Sequence, residues 1–296
     1  MRRRLTGFIL ALFAASTVLL ALGEPLPNRP GSIKFAVIGD NGTGETPQYD
    51  VGRQMAASRT TFPFDFVIML GDNFYGSQRP KDRVKKFEQP YRALLDAGVT
   101  FHAALGNHDA ADSVDYPPLN MGGRRYYTFE RGPVRFFVLD TNNLDPSQLA
   151  WFRQALADAR EPWRICYFHH PLYSNAGRHG SAVDLRVLIE PLLVRHGVSV
   201  VFSGHDHAYE RVKPQKGIHY FVAGSGGKLR RGDMEPSDQT AAAFDRDQAF
   251  MLVEVAESEL YFQAVSRTGV VVDSGAIANR NVAALTEGVR SCIDVR

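Results

Sequence analysis

The fold class is decided by residues 198–207, a stretch in the second half of the chain that reads VSVVFSGHDH. Its first five residues are mostly β-branched or aromatic and predict a short buried strand. A glycine and two histidines follow almost at once, so the strand ends in a tight turn whose side chains are able to bind a metal ion. The stretch therefore predicts a strand whose carboxyl end carries functional groups.

An apolar strand followed by a residue that can bind a metal recurs four more times. These instances read VIGD at 37–40, MLGD at 69–72, ALGNH at 104–108 and ICYFH at 165–169, the last without the glycine. Because ligands of open α/β sheets bind outside the carboxyl ends of the strands, we expect these side chains to converge on one edge. Carboxylate, amide and imidazole groups together favour Fe, Mn or Zn over Ca or Mg.

Strands and helices alternate from Ile33 onward, and this alternation predicts an α/β fold. The predicted strands are Ile33–Ile38, Phe64–Leu70, Thr100–Leu105, Tyr126–Phe129, Val134–Leu139, Trp163–Phe168, Val198–Phe202, Ile218–Val222, Phe250–Val255 and Leu260–Val265. The predicted helices are Gln48–Ser58, Asp82–Asp96, Pro146–Ala159 and Leu185–His196. Strands that follow each other closely, at 126–139 and 250–265, indicate mixed sheets. Residues 228–247 combine both charge signs with Gly and Pro, and we expect a mobile loop there.

The first residues have the pattern of an export signal. Arg2–Arg4 precede the apolar run Leu5–Leu22, and small residues stand at the cleavage positions Ala21 and Gly23. We therefore expect residues 1–23 to be a signal peptide, 24–32 a linker, 33–275 the main domain and 276–296 a C-terminal tail. An uncleaved membrane anchor is the alternative, because the apolar run is just long enough to span a bilayer. Both interpretations predict a periplasmic or secreted protein.

Composition excludes several classes of protein. Of 296 residues, 44% are apolar and 22% charged, an ordinary globular balance that excludes disorder, collagen and coiled coil. Without Arg2–Arg4 the chain has 31 basic and 32 acidic residues, so we expect no nucleic-acid-binding surface. Two cysteines are too few for a disulfide scaffold, and Cys166 lies in an apolar run where we expect it to be buried.

Five ordered motifs resemble those of the calcineurin-like metallophosphoesterases and, more narrowly, of the short, mammalian-like purple acid phosphatases. They are GDNG at 39–42, GDNFY at 71–75, GNHD at 106–109, CYFH at 166–169 and GHDH at 204–207. The fourth has Cys166 where the family prefers valine, which leaves the histidine in place. The resemblance implies two mixed β-sheets packed as a sandwich and flanked by helices, with a dinuclear metal site at the carboxyl ends of the strands.

Carried over position by position, the resemblance implies two sets of metal ligands that share one bridging carboxylate, Asp72. The first set is Asp40, Asp72, Tyr75 and His207, and the second is Asp72, Asn107, His169 and His205. The first set contains two carboxylates and a phenol, so it favours Fe(III). The second has neutral groups besides the shared carboxylate and suits a divalent ion, which is Fe, Zn or Mn.

The implied activity is that of an exported acid phosphatase, in which a metal-bound hydroxide attacks the phosphorus of a phosphate monoester. Asn107 and His108 would bind the substrate, and His108 would also be catalytic as the proton donor to the leaving group. His179 resembles a second catalytic histidine, although a surface loop is an equal interpretation. His170 abuts His169, and an error of one position would exchange their roles. Tyr75 is alternatively a turn aromatic packed on the core.

Two other functions remain open. A metal-dependent phosphodiesterase acting on nucleotides or phospholipid head groups would use the same ligands. An inactive metal-binding or scaffold protein would keep the fold, although such proteins usually lose ligands, and every ligand position is filled here. The expected partners are small phosphorylated substrates, with membrane contact only through an uncleaved N-terminal segment. We expect a monomer.

Overall fold

The computed structural model describes residues 25–279 and 281. The predicted signal peptide at 1–23 lies outside the described residues, as do Cys292 and most of the predicted C-terminal tail. Residues 25–32, in the predicted linker, are held against the first sheet by Glu254, whose carboxylate accepts a hydrogen bond from the backbone N–H of Asn28 at 2.7 Å.

The strands fall into two groups along the chain. The early ones are β1 (Ile33–Ile38), β2 (Phe66–Met69), β3 (Thr100–Ala103), β4 (Tyr127–Arg131), β5 (Val134–Val138), β6 (Trp163–Tyr167) and β7 (Val200–Ser203). The later ones are β8 (Tyr209–Gln215), β9 (Ile218–Ala223), β10 (Thr240–Phe244), β11 (Ala249–Val255), β12 (Glu259–Ser266) and β13 (Val271–Ala278). All ten predicted strands are present, with ends shifted by a few residues.

The helices are α1 (Thr46–Ser58), α2 (Pro80–Arg83), α3 (Arg92–Asp96), α4 (Pro146–Asp158) and α5 (Val183–Arg195). Three of the four predicted helices are confirmed. The carboxylate of Asp145 caps α4 by accepting a hydrogen bond from the N–H of Gln148 at 2.8 Å. The fourth prediction, one helix over Asp82–Asp96, is wrong. The segment divides into α2, a π-helical turn and α3, and Pro90 lies in the gap, where its missing N–H prevents a continuous helix.

Both sheets are mixed, as predicted. In the described part of the chain the first sheet has the order β13-β12-β11-β1-β2-β3, and the second has the order β10-β8-β9-β7-β6-β5-β4. Strands β1, β2 and β3 run parallel, as do β5, β6, β7 and β9. The remaining pairs are antiparallel. The parallel strands form one side of the first sheet and the centre of the second, and within each sheet their carboxyl ends lie at the same edge.

The sheets pack face to face through aromatic rings. Phe35 and Phe66 of the first sheet contact Phe136 of the second edge-on, with ring centroids 5.4 and 5.6 Å apart. Along β5 the next residue, Phe137, points to the opposite face and packs on Phe152 of α4. The α/β sandwich flanked by helices is therefore confirmed. Cys166 is buried between the second sheet and the helices that pack on it, as predicted.

Three strands were not predicted from the sequence. β8, β10 and β13 are rich in polar residues, alanine or glycine, and their pairing with a neighbouring strand determines their conformation more than their own β-propensity does. Because β10 lies inside residues 228–247, the prediction of a loop is wrong for Thr240–Phe244. β13 ends at Ala278, three residues beyond the predicted end of the domain. Among the described helices, none has the length and apolar character to cross a bilayer.

Candidate metal centre

Five strand ends from both sheets bring the predicted ligands to one edge of the sandwich. The chain passes directly from β1, β2, β3, β6 and β7 into turns that carry, in this order, Asp40, Asp72, Asn107, His169 and the pair His205 and His207. This convergence is the one expected for the carboxyl ends of parallel strands.

The backbone of these turns has an unusual conformation. Asp40, Asp72 and His205 have φ angles of 53°, 52° and 72°, in the left-handed region that residues with side chains seldom adopt. Each such residue costs about 1–3 kcal/mol and persists only where the surroundings enforce it. Three of them at one edge indicate that the orientation of these side chains is maintained at the expense of stability.

The glycines before the ligands are required by close contacts. A Cβ atom on Gly106 would lie 2.2 Å from Asp72 Oδ1, and one on Gly204 would lie 2.4 Å from Asp40 Oδ2. A Cβ atom on Gly71 would lie 2.6 Å from His169 Nδ1. The repeated glycine in the sequence pattern therefore provides the space into which the neighbouring ligand fits.

The first ligand set, called here the anionic group, consists of Asp40, Asp72, Tyr75 and His207. The ligand atoms of its two carboxylates and its histidine lie within 4.8 Å of one another. The hydroxyl of Tyr75 donates to Asp40 Oδ1 at 3.0 Å and lies 3.2 Å from His207 Nε2. Tyr75 therefore faces the carboxylates and is no simple turn aromatic.

The neutral ligands of the second set, called here the imidazole group, are Asn107, His169 and His205. His169 Nδ1 donates to the carbonyl of Leu70 at 2.9 Å, so the Nε2 atom of the neutral ring carries a lone pair. That atom lies 3.0 Å from Asn107 Oδ1, 3.1 Å from His205 Nδ1 and 3.5 Å from Asp72 Oδ1. Electron-rich atoms thus converge around one point beside Asp72.

The electrostatics of the site fit bound cations. Asp40 and Asp72 are buried, and in the described part of the chain no lysine or arginine forms an ion pair with either. Burial, and then the charge of Asp72, raise the pKa of the Asp40 carboxyl well above its usual range. Burial and the same two carboxylates also raise the pKa of Tyr75. Neighbouring buried carboxylates without a counter-charge are unfavourable, and a metal ion would relieve their repulsion.

The histidines cannot supply that counter-charge. Burial lowers the pKa of His205 to about 2 and that of His207 to about 4, and it also lowers the pKa of His169. All three are therefore neutral imidazoles at physiological pH, which is the form that binds metals. The donor set fits two cations: a harder one at the anionic group and a softer one at the imidazole group.

The remaining predicted residues also lie at this edge. His108 is exposed, with Nε2 4.0 Å from Asp72 Oδ2 and its ring against that of Tyr75. The ring of His179 lies 4.3 Å from that of His205. His170 also belongs to a cluster that could hold a metal, together with His169 and His205, but its Nδ1 atom is engaged 2.9 Å from Thr141 Oγ1.

Asp109, to which the sequence pattern assigned no role, organises the loops of the site. Its half-buried carboxylate accepts hydrogen bonds from the N–H groups of Gly106 and Phe74 and from the amide of Asn73. It thereby joins the loop after β2 to the loop after β3. Burial raises its pKa to about 7. Its place at the end of GNHD was the signal that could have identified it.

Comparisons with known proteins agree with this geometry. A family model described as calcineurin-like phosphoesterase matches residues 33–209. Tartrate-resistant acid phosphatase type 5 of Oryctolagus cuniculus is 27% identical over 251 residues, and the match covers 70% of this chain and 75% of that protein.

Two solved structures are similar in fold. A purple acid phosphatase from yellow lupin (Lupinus luteus) seeds aligns with a TM-score of 0.70 and 20% identity, covering 88% of this chain and 56% of that one. GAP50 of Plasmodium, described as the anchor in the inner membrane complex, aligns with a TM-score of 0.72 and 18% identity over 84% of this chain and 89% of that one. At these identities the likeness concerns the fold alone.

Proposed function

Because the chain belongs to the calcineurin-like phosphoesterase family, we propose that it is a dinuclear-metal acid phosphatase that hydrolyses phosphate monoesters. The observation that carries this proposal is the pair of ligand sets around Asp72. One is anionic and the other is built from neutral nitrogen and amide oxygen atoms, and both are complete. The acid phosphatase named among the relatives supports the same activity.

Two cations bound there would activate a water molecule as the nucleophile and neutralise charge on the phosphoryl oxygens. The chain's own residues position the reactants. Asp72 lies between the two ligand sets and is oriented by the backbone N–H of His108, which donates to Asp72 Oδ1 at 2.9 Å. The carbonyl of Leu70 fixes the ring of His169. We assign Fe(III) to the anionic group, and a divalent Fe, Zn or Mn ion to the imidazole group.

His108 is proposed as the proton donor to the leaving group. Its ring is exposed beside the bridging carboxylate, so a departing alkoxide can reach it without displacing protein atoms. Asn107 is also exposed at this rim, and we propose that it and His108 contact the phosphate. His179, in the facing loop, is proposed as a second catalytic histidine on the strength of its contact with His205.

A cavity beside the site is large enough for the leaving group. A cavity of about 530 Å³ opens beside Asn107 and His170 and extends toward Asp140 and Asn142. That volume is within the range of small-molecule sites. We therefore propose small phosphate esters as substrates. Export to the periplasm or medium is proposed from the charge and hydropathy pattern of residues 1–23.

The test is hydrolysis by the purified, metal-loaded protein of p-nitrophenyl phosphate and of bis-p-nitrophenyl phosphate near pH 5. We expect the monoester to be hydrolysed with a kcat/KM at least about tenfold higher than the diester. A reversed ratio would replace the proposal by a phosphodiesterase. No hydrolysis of either ester by protein with two bound metals would favour a scaffold function, the kind that the description of GAP50 indicates for that protein.

A further inference from the structure

A glycine-rich segment that the proposed function does not use lies directly on the metal centre. Residues 224–228 read GSGGK and follow β9. A Cβ atom on Gly227 would lie 2.3 Å from the carbonyl oxygen of Asn41, and one on Gly226 would lie 2.8 Å from that of Gly39. The glycines are therefore needed for this segment to pass against the turn that carries Asp40.

The segment is fixed to the ligand turns by main-chain hydrogen bonds. The N–H of Lys228 donates to the carbonyl of Asp40 at 2.9 Å, and the N–H of Arg230 donates to that of His207 at 3.0 Å. Both cationic residues are thus attached to members of the anionic group. This arrangement is inconsistent with a mobile loop at this point, which the sequence had suggested.

The side chain of Lys228 faces the site without a counter-charge. Its Nζ atom lies 5.1 Å from the centre of the Tyr75 ring, and the residue is half-buried. Throughout residues 25–279 and 281, no carboxylate forms an ion pair with it. Arg230 has one distant partner, Asp233, at 3.9 Å. A half-buried ammonium group that has an aromatic ring beside it but no carboxylate partner favours binding of an anion.

Lys228 and Arg230 lie beside the same predicted ligands. Their backbone N–H groups bond to Asp40 and His207, and the Nζ atom of Lys228 lies over the ring of Tyr75. Both residues therefore border the anionic group. The cavity for the leaving group lies beside Asn107 and His170, and neither cation lines it.

We propose that Lys228 and Arg230 form a subsite for a second anionic group of the substrate, so that the enzyme favours phosphate compounds that carry a further phosphoryl or carboxylate group. The proposal rests on the proposed phosphatase activity. In each case the oxygen of one water molecule forms a new P–O bond, the P–O bond to the leaving group breaks, the leaving group takes a proton from the water and phosphate is released, so no further reactant is needed.

The chain offers a matched control. Arg231 follows Arg230 and is exposed, and within the described residues its side chain forms no ion pair or hydrogen bond with a predicted ligand. The variants are therefore Lys228→Gln, Lys228→Arg and Arg231→Gln. Each is assayed with pyrophosphate, which has a second phosphoryl group, with phosphoenolpyruvate, which has a carboxylate, and with p-nitrophenyl phosphate, which has neither. Metal content and circular dichroism are measured for every variant.

A hydrogen bond to a charged group is worth about 1.5–3 kcal/mol. Lys228→Gln should therefore lower kcat/KM at least about tenfold for pyrophosphate, for phosphoenolpyruvate or for both, because these substrates carry a second anionic group. The loss should appear mainly in KM, and it should stay within about threefold for p-nitrophenyl phosphate. Lys228→Arg should restore the preference, and Arg231→Gln should behave as wild type. The substrate with the larger loss identifies the second group as phosphoryl or carboxylate.

Equilibrium binding gives a readout independent of turnover. Calorimetric titration with methylenediphosphonate should show Lys228→Gln binding at least about tenfold more weakly than wild type, with inorganic phosphate changed by less than about threefold. Equal losses on all three substrates, or no loss on any, would overturn the subsite. If the wild type hydrolysed none of them, the proposed function itself would fail, whereas the binding experiment would still test the subsite.

Discussion

The anionic group and the imidazole group lie side by side but are built in different ways. In the anionic group, two buried carboxylates and a phenol face one another, and burial and mutual repulsion raise the pKa values of Asp40 and Tyr75. In the imidazole group, neutral nitrogen and oxygen atoms converge, and each ring is oriented by a backbone or side-chain contact. The first group has an excess of negative charge, and the second has lone pairs without charge.

Because of this difference, we expect the two groups to bind different kinds of metal ion. Three acidic ligands stabilise a trivalent ion far more than a divalent one, whereas neutral ligands distinguish little by charge. Asp72 belongs to the anionic group, and we propose that it also binds the ion of the imidazole group. We therefore expect changes at Asp72 to affect both metals, and changes at the other proposed ligands to affect one.

The largest effect is expected for Asp72→Ala, which removes the carboxylate that we propose as a ligand of both ions. We expect the rate of p-nitrophenyl phosphate hydrolysis to fall about 10³-fold or more, the scale found when a main electrostatic stabiliser is lost. Bound metal should fall well below two per chain. Asp72→Asn keeps the shape of the side chain and should fail in the same way. A fall in activity with both metals still bound would argue against the bridging role.

The next effect separates two adjacent histidines. His169→Ala should lower activity by roughly 100-fold or more and remove the metal of the imidazole group while the other ion stays bound. His170→Ala is the matched control. Its Nδ1 atom is engaged with Thr141, so we expect at most about a tenfold loss with both metals retained. Metal analysis of the two variants decides between them, and the opposite result would exchange the two assignments.

The residues of the metal centre also show how much of the site can be predicted from the sequence. The ligands follow strand ends, and strand ends are visible as apolar runs that stop at a glycine, so the positions of Asp40, Asp72 and His205 could be found. The left-handed backbone at these residues could not, because it is enforced by contacts between distant segments. The position of Lys228 beside the site could not be predicted either, since it depends on the close contacts of Gly226 and Gly227 with the backbone of residues 39–41.

The fold, like the site, can be predicted only in part from the sequence. Strands with buried β-branched residues, such as β1 and β2, are identifiable from composition. β10 is not, because a segment rich in alanine becomes a strand only through its pairing with β8. The break around Pro90 has a local signal, the proline itself, that the prediction of one helix overlooked, whereas the π-helical turn before it, which contains the buried Phe87, has no such signal in the sequence.

At His108 we expect an effect that depends on the leaving group of the substrate. If His108 protonates the departing oxygen, His108→Ala should slow hydrolysis of alkyl phosphates about 10²–10⁴-fold. Aryl phosphates, whose leaving groups need little protonation, should be slowed much less. Parallel assays of glycerol phosphate and p-nitrophenyl phosphate measure the contrast. Equal losses on both would assign His108 to phosphate binding instead.

The smallest effect on activity, and a large one on colour, is expected for Tyr75→Phe. The substitution keeps the ring and its packing on His108 but removes the hydroxyl that faces Asp40 and His207. A phenolate bound to Fe(III) gives a visible charge-transfer band, so the wild type should be violet or pink and the variant colourless with its iron retained. We expect activity to fall no more than about tenfold. A band that survives the substitution would exclude Tyr75 as the source.

Elemental analysis of the purified wild-type protein, together with its phosphatase activity, tests whether Asp72 joins two unlike metal sites. We expect about two metal ions per chain, one of them iron, and loss of activity as either is removed by a chelator. One ion or none per chain, with full activity retained, would contradict it.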